Sequence, residues 1–268
     1  MTLAVLINGA APADPDSAIA VDERGLHYGD GLFETALLCD GRVRFLEDHL
    51  ARLNSSCERL GIPAPSRQAL LSDIERVTGS ERRAVLKIII TRGVGRGYRP
   101  ASTARPTRIV ALYAAPEAIK RDIAVQWCAT PLGRNARLAG MKHLNRLEQV
   151  LAQAELQDGV DEGLMLDTEG ELVCATSGNV FILRDGALIT PDLRFCGVLG
   201  IMRRRVLRLA EQLGVAATEE PLWPHDLDAA SEVFVTNAVR GVQSVVSLDG
   251  RRWADAPMAQ RLREALLL

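Results

Sequence analysis

Three dipeptides, Asn8-Gly9, Asp40-Gly41 and Asp185-Gly186, each follow a short, mainly apolar run. Asx-Gly pairs readily supply the two positive-φ residues of the tight turns that reverse one β-strand into the next. They predict a strand over 3–7, a hairpin joining 32–38 to 43–45, and a turn between 180–183 and 188–189. Residues 84–91 and 107–114 are β-branched runs that read as further strands. The same reading applies to 123–130, 163–167, 171–175, 231–236 and 242–247, with Thr168-Glu169-Gly170 as a turn. Helical spacing appears over 47–60, where Leu46, Leu50, Leu53, Cys57 and Leu60 share a face and Gly61 stops the helix. Helices are also expected over 66–77, 200–213 and 258–268, and the Gly-dense stretch 24–31 reads as a loop. Strands outnumber helices without strict β-α-β alternation, so the expected class is mixed α and β, in two layers or two domains. A polar stretch at 114–122 reads as a hinge. It divides a smaller N-terminal α/β domain (1–114) from a larger C-terminal one (123–268), with 115–122 as linker.

Composition narrows the function. A net charge of −2 over 268 residues argues against nucleic acid or an anionic membrane as the main partner. No apolar run reaches membrane-spanning length, and Leu3–Ile7 is too short for a signal-peptide core, so a cytoplasmic location is expected. The five Cys (39, 57, 128, 174, 196) are scattered and read as reduced thiols, and the four His show no metal-ligand spacing. No metal site is expected.

The chain contains only three Lys (87, 120, 142); its other basic residues are Arg. Arg holds charge but does not act as an amine nucleophile. Lys142 follows Ala139-Gly140-Met141 and precedes Leu144, Leu147, Val150 and Leu151, which recur at helical spacing. Two readings fit: an exposed residue at a helix start, or a reactive amine. Lys87 alternates with apolar neighbours in a strand and is not assigned a catalytic role; Lys120 reads as solvated. The stretch 196–203 runs glycine-rich into a helix, a pattern that suits an anion at free backbone N–H groups and equally suits an ordinary turn. Gly93-Val94-Gly95-Arg96-Gly97-Tyr98 is followed by Arg99-Pro100 rather than a helix. That context argues against a dinucleotide loop, though Arg96 and Tyr98 could grip a carboxylate. Arg52 is either a surface residue or a reach toward an anion.

Several of these segments, in order, resemble the fold-type-IV pyridoxal-phosphate family, which holds aminodeoxychorismate lyases and the branched-chain and D-amino-acid aminotransferases. They are 28–35, 49–53, 91–98, 132–135, 138–151, 179–181, 188–190 and 198–203, and the resemblance extends over nearly the whole chain. The Lys-His-Leu-Asn-Arg-Leu-Glu block leans toward the lyases. The resemblance implies two α/β domains with the cofactor site between them, a homodimer and a small-molecule substrate. It implies that Lys142 bonds covalently to pyridoxal 5'-phosphate and serves as the catalytic base. Arg52 would hold the cofactor phosphate with Gly200 and the backbone N–H groups of Ile201 and Met202. Ala238 and Val239 fall in the family's second phosphate loop, and Asn179 in its signature. Tyr28, Thr35, Arg96 and Tyr98 would contact substrate. The implied reaction forms 4-aminobenzoate and pyruvate from 4-amino-4-deoxychorismate, the alternatives being amino-acid transamination or cofactor binding without turnover.

One position departs from the family pattern. The family has a Glu five residues before the signature Asn, where it partners the cofactor's pyridine nitrogen; here that residue is Cys174. A thiol is a weaker partner than a carboxylate unless ionised. The ring is therefore expected to be a poorer electron sink, which would harm transamination more than a lyase step whose product becomes aromatic.

Overall fold

The computed structural model describes residues 1–14, 19–101, 105–117 and 119–266. Residue 118 of the expected hinge and residues 267–268 of the expected final helix lie outside the described residues. The chain forms two compact units: 1–117 with 141–145, and 118–140 with 146–268. The five residues around Lys142 thus belong with the first unit, whereas the residues on either side belong with the second.

The first unit is built on an antiparallel five-stranded sheet of order β1-β5-β4-β2-β3. The strands are β1 (Thr2–Ile7), β2 (Gly31–Cys39), β3 (Arg42–Val43), β4 (Arg83–Thr91) and β5 (Thr107–Ala114). The Asp40-Gly41 turn has φ of 50° and 74°, the left-handed pair that the hairpin requires. Helix α2 (Leu46–Leu60) packs on β2, and α3 (Arg67–Thr78) packs on β1 and β5. The face expected for α2 is buried at Leu50, Leu53 and Cys57, and Gly61 ends the helix at φ 61°. Ser66 caps α3, accepting from the Ala69 N–H. In β4 the alternation is regular: Ala84, Leu86, Ile88 and Ile90 are buried, whereas Lys87 lies on the opposite, half-buried face.

One expectation fails here. The 24–31 stretch is not all loop: Arg24–Tyr28 forms a short helix, α1, whose entry is braced by Glu23 accepting from the Gly25 N–H.

The second unit carries a mixed sheet of order β11-β10-β9-β12-β13-β6-β7-β8, with β14 beside β13. Its strands are β6 (Asp122–Trp127), β7 (Glu162–Leu166), β8 (Leu172–Ala175), β9 (Asn179–Arg184), β10 (Ala187–Pro191), β11 (Ala217–Glu220), β12 (Glu232–Asn237), β13 (Gly241–Leu248) and β14 (Arg251–Arg252). Helix α5 (Ile201–Gln212) and helix α6 (Pro257–Ala265) cover one face through a cluster centred on Phe181, Val206, Phe234 and Leu262. The other face holds Val125, Leu164, Ile182, Val233 and Trp253. β11 and β14 were not expected from sequence.

Helix α4 (Leu147–Ala154) corrects a second expectation. It starts five residues after Lys142 and ends at Ala154, and its apolar face is not the buried one. Leu147, Val150 and Leu151 are 70%, 60% and 51% exposed, whereas Ala152 is fully buried. Polar side chains of α4 tie it to the rest of the unit: Glu148, half-buried, accepts from the Gly133 N–H, and Gln153 donates to Glu162 and Thr176.

Candidate active site

In the first unit, Lys142 sits in an extended segment that pairs with the start of β2. The Phe33 N–H donates to the Lys142 carbonyl at 2.9 Å, and the Leu144 N–H to the Gly31 carbonyl at 3.0 Å. This pairing, rather than a helix start, sets the direction of the side chain, whose Nζ lies 4.3 Å from the Phe33 ring centroid. Lys87 Nζ reaches the same ring at 5.4 Å. Thr35 is the cross-strand partner of Lys87 and shares the Phe33 face of β2. Two of the three lysines therefore converge on one aromatic ring beside Thr35. Sequence reasoning had set Lys87 aside. Its place opposite Thr35 follows from the β2–β4 register, which periodicity alone does not provide.

Arg52 is buried on α2 and makes a two-pronged pair with Glu34 at 2.7 and 2.6 Å. His49, one turn earlier, meets the same carboxylate at 2.6 Å. Burial alone would push the Glu34 carboxyl up. The Arg52 charge and the hydrogen bonds from His49 and Arg52 outweigh that and hold it below the usual carboxylate range. Glu34 points to the face of β2 opposite Phe33. Arg52 and Lys142 are thus anchored on neighbouring residues of β2, on its two faces. Glu34 was missed from the sequence; a lone acid in the apolar pattern of 31–39, whose side-chain period puts it among buried neighbours, was the available signal.

The loop at 93–98 is clamped to α1. Arg24, itself buried, donates to the carbonyls of Gly97 at 2.5 Å and Tyr98 at 3.2 Å, and Tyr28 Oη accepts from the Gly97 N–H at 2.9 Å. The Tyr28 and Tyr98 rings lie 5.5 Å apart. Arg96 spends two donors on Asp22, at 3.0 and 3.2 Å, and the hydrogen bond from Arg96 holds the Asp22 carboxyl below its usual range. Tyr28, Arg96 and Tyr98 are therefore brought together as a loop assembly, with Arg96 already paired to an acid.

In the second unit, α5 begins at Gly200 with no side chain capping it and no acid in its first turn. Ile201 and Met202 are buried there. A buried helix start with spare N–H groups and the positive end of the dipole suits an anion. Gly200 leaves no space for a side chain: a Cβ would fall 2.0 Å from Asn179 Oδ1. Asn179 in turn donates to the Val198 carbonyl at 2.9 Å and braces the approach to the helix. Thr236 is the cross-strand neighbour of Asn179 on the same face. Its hydroxyl is buried without a hydrogen-bond partner among the described residues.

The next turn contains Ala238 and Val239. The Asn237 side chain accepts from the N–H groups of Val239 at 3.0 Å and Arg240 at 2.7 Å. Cys174 is buried, and burial pushes its thiol up to about 12, so it is neutral. Its neighbours include Cys128, Met165 and Cys196.

Each unit by itself holds groups whose chemistry suits the phosphate of a pyridoxal cofactor: the first a buried guanidinium, the second an uncapped helix start next to a glycine that admits no side chain, with an orphan hydroxyl. They suit an amine-reactive aldehyde through Lys142. At the position where the resemblance implies a carboxylate for the cofactor's pyridine nitrogen, the chain has Cys174, a buried neutral thiol. Among the described residues no group of His, Cys, Asp or Glu suits a metal ion, and no helix is long and apolar enough to cross a membrane.

Comparison with known proteins bears on the same residues. The amino-transferase class IV family matches residues 31–248. The chain is 32% identical to an aminodeoxychorismate lyase of Vibrio harveyi, covering 86% of this chain and 88% of the relative. It is 34% identical to a putative branched-chain-amino-acid aminotransferase of Methanocaldococcus jannaschii, covering 92% and 88%. The crystal structure of 4-amino-4-deoxychorismate lyase from Pseudomonas aeruginosa superposes with a TM-score of 0.91 at 40% identity, covering 98% of this chain and 97% of that one. The match spans the strand that carries Glu34, the Lys142 segment, the start of α5 and the 237–241 turn, and the chain belongs to the amino-transferase class IV family of fold-type-IV, pyridoxal-phosphate-dependent enzymes.

Proposed function

We propose that this enzyme is a lyase that converts 4-amino-4-deoxychorismate to 4-aminobenzoate and pyruvate. The placement of Lys142 carries the reading. It is one of three lysines in the chain, held by backbone pairing to β2 with its amine against Phe33. The 40% identity to the Pseudomonas lyase supports the lyase branch, and the 34% identity to the archaeal aminotransferase supports a second reading, amino-acid transamination.

When bound, pyridoxal phosphate supplies an aldehyde for the substrate amine and a ring that accepts an electron pair. Lys142 holds the cofactor and, once displaced by the substrate amine, is a base beside the carbon that bears nitrogen. It takes that carbon's proton onto Nζ. Loss of the proton and breakage of the neighbouring carbon–oxygen bond release enolpyruvate, which becomes pyruvate, and the remaining ring is aromatic. Arg52, the N–H groups of Ile201 and Met202, and the Thr236 hydroxyl hold the phosphate in this reading; Gly200, Asn179, Ala238 and Val239 shape that pocket. Gly140 is hydrogen-bonded to Gly197 and Leu199 at 2.9 and 3.1 Å, which braces the segment that leads into α5. Lys87 and Thr35, on the Phe33 face, supply a cation and a hydroxyl for the substrate. Cys174 gives the ring nitrogen a neutral thiol, a feature that favours the lyase over transamination. Tyr28, Arg96 and Tyr98 form a substrate loop.

The enzyme also works as a homodimer in this reading. Leu147, Val150 and Leu151 form an i, i+3, i+4 apolar stripe facing outward, and a stripe of that kind calls for a partner surface.

The deciding experiment is incubation of cofactor-loaded protein with aminodeoxychorismate. Formation of 4-aminobenzoate and pyruvate in equal amounts is expected. Keto-acid formation from an amino acid, with no 4-aminobenzoate, would sink the lyase reading in favour of the aminotransferase.

A further inference from the structure

Glu162, at the start of β7, is a fully buried carboxylate. It accepts hydrogen bonds from the hydroxyls of Thr176 and Ser177, from the Gln153 amide at 3.1 Å and from the Gly163 N–H at 3.2 Å. Its one ion-pair partner among the described residues is Arg240, in the turn between β12 and β13, at 3.3 Å. That separation is long: the Arg52–Glu34 and Arg184–Asp226 pairs close to 2.6 and 2.7 Å. Two hydroxyls already satisfy much of the carboxylate, so the guanidinium is tethered to it rather than consumed by it. The Arg240 side chain is 38% exposed against 1% for Glu162. Only one of the five guanidinium donors meets a protein acceptor among the described residues.

The backbone of this turn is differently placed. Asn237 Oδ1 takes the N–H groups of both Val239 and Arg240, and Asn237 Nδ2 donates to the Ser177 carbonyl at 3.3 Å. Two of the turn's amide donors are thus turned inward, and the Arg240 side chain becomes its outward-facing donor. The other cation expected to meet a carboxylate, Arg96, spends two donors on Asp22.

We infer that Arg240, steered by Glu162, is a specificity-determining residue that binds a carboxylate of the substrate. The inference rests on the reading under which the 238–239 turn borders the cofactor. The substrate proposed there is a dicarboxylate, one carboxylate on the ring and one on the enolpyruvyl ether. Arg240 offers a planar fork for one of them.

The test uses purified, cofactor-loaded wild type, Arg240→Gln and Arg240→Lys. Cofactor affinity is read by absorbance titration, and KM and kcat by 4-aminobenzoate formation. The expected result for Arg240→Gln is a KM about 10- to 100-fold higher, the range for losing a charge-assisted hydrogen bond. Cofactor affinity should stay within about twofold, kcat should change little, and Arg240→Lys should recover part of the KM. An unchanged KM in loaded Arg240→Gln overturns the inference. So does a loss of cofactor affinity that accounts for the whole defect, because Arg240 would then serve the phosphate. Should the wild type transaminate an amino acid and form no 4-aminobenzoate, the lyase reading fails by itself; KM for that amino acid in the two variants then decides the role of Arg240.

Discussion

Replacing Glu34 by Gln tests the anchoring of Arg52. The change keeps the shape of the side chain and removes its charge. In the native protein the carboxylate receives two bonds from Arg52, at 2.7 and 2.6 Å, and one from His49 at 2.6 Å. The side chains of Arg52 and Glu34 are 8% and 2% exposed. A pair so buried is costly to break from one side, because the remaining charge stays out of water. The loss is about 3–5 kcal/mol, against 0–1 kcal/mol for an exposed pair. Gln also turns one acceptor into a donor that faces either Arg52 or His49, which adds to the cost. At roughly 2–4 °C per kcal/mol for a chain near this size, the cofactor-free variant should melt about 6–20 °C lower. An anion delivered to Arg52 should offset part of that loss. Pyridoxal phosphate at saturating concentration is therefore expected to raise the melting temperature of Glu34→Gln more than that of the wild type, by linkage. Thermal melts of both proteins with and without the cofactor give the four numbers needed. A destabilisation below about 1 kcal/mol would refute the buried-pair reasoning. Equal stabilisation of the two proteins by the cofactor would refute the assignment of Arg52 to the phosphate.

Other perturbations probe the rest of the site. The folded Glu34 carboxyl lies below its ordinary value of 4.5, so its stabilising contribution is present above that pH and is lost as pH falls through the lower folded value. Denaturant titrations from pH 6 down to 3 should show an acid loss that is shallower in Glu34→Gln. Gly200→Ala puts a methyl 2.0 Å from Asn179 Oδ1 and should weaken cofactor affinity at least about tenfold by absorbance titration, with the fold kept by circular dichroism. Cys174→Glu should raise transaminase activity relative to lyase activity when both are assayed; an unchanged ratio would remove the ring-nitrogen explanation. Leu147→Asp with Val150→Asp should shift sedimentation from dimer to monomer, and a wild type that sediments as a monomer would end the dimer proposal.

Local rules carried far in this chain because they concern backbone geometry. Asp40-Gly41 and Asp185-Gly186 adopt the left-handed pairs their residue types favour, and Gly61 ends α2 at φ 61°. The strands β4, β5, β7, β9 and β12 fall within two residues of where their apolar runs place them. The readings that failed each depended on a partner distant in sequence. The helical spacing after Lys142 suggested an ordinary amphipathic helix packed by its leucines. Yet Glu148 and Gln153 find acceptors and donors inside the unit, at Gly133, Glu162 and Thr176, and so the leucines turn outward. Likewise α1 was read as loop because glycines flank it, whereas its place is secured by Arg24 reaching 73 residues along the chain to Gly97.

The site was legible to the same degree. Lys142 stands out by rarity, and the Gly200–Ile201 helix start by its composition. Glu34, Lys87 and Arg240 do not, because a charged residue in a strand or turn is ordinary until its register is known. Once β2 is aligned with β4, Lys87 falls opposite Thr35 and against the ring that Lys142 touches. Once Glu162 is seen to be fully buried and hydroxyl-bound, Arg240 becomes a directed cation rather than a surface one. The Arg240 case follows a physical rule. A buried carboxylate must be neutralised or hydrogen-bonded, and what remains of its partner's donors is then available to a ligand. In Glu34–Arg52 the pairing is two-pronged and short; in Glu162–Arg240 it is single and long. The first pair should therefore dominate stability and the second substrate recognition, and Glu162→Gln should raise KM with a smaller loss of melting temperature than Glu34→Gln. Equal losses of stability in the two variants would contradict that division.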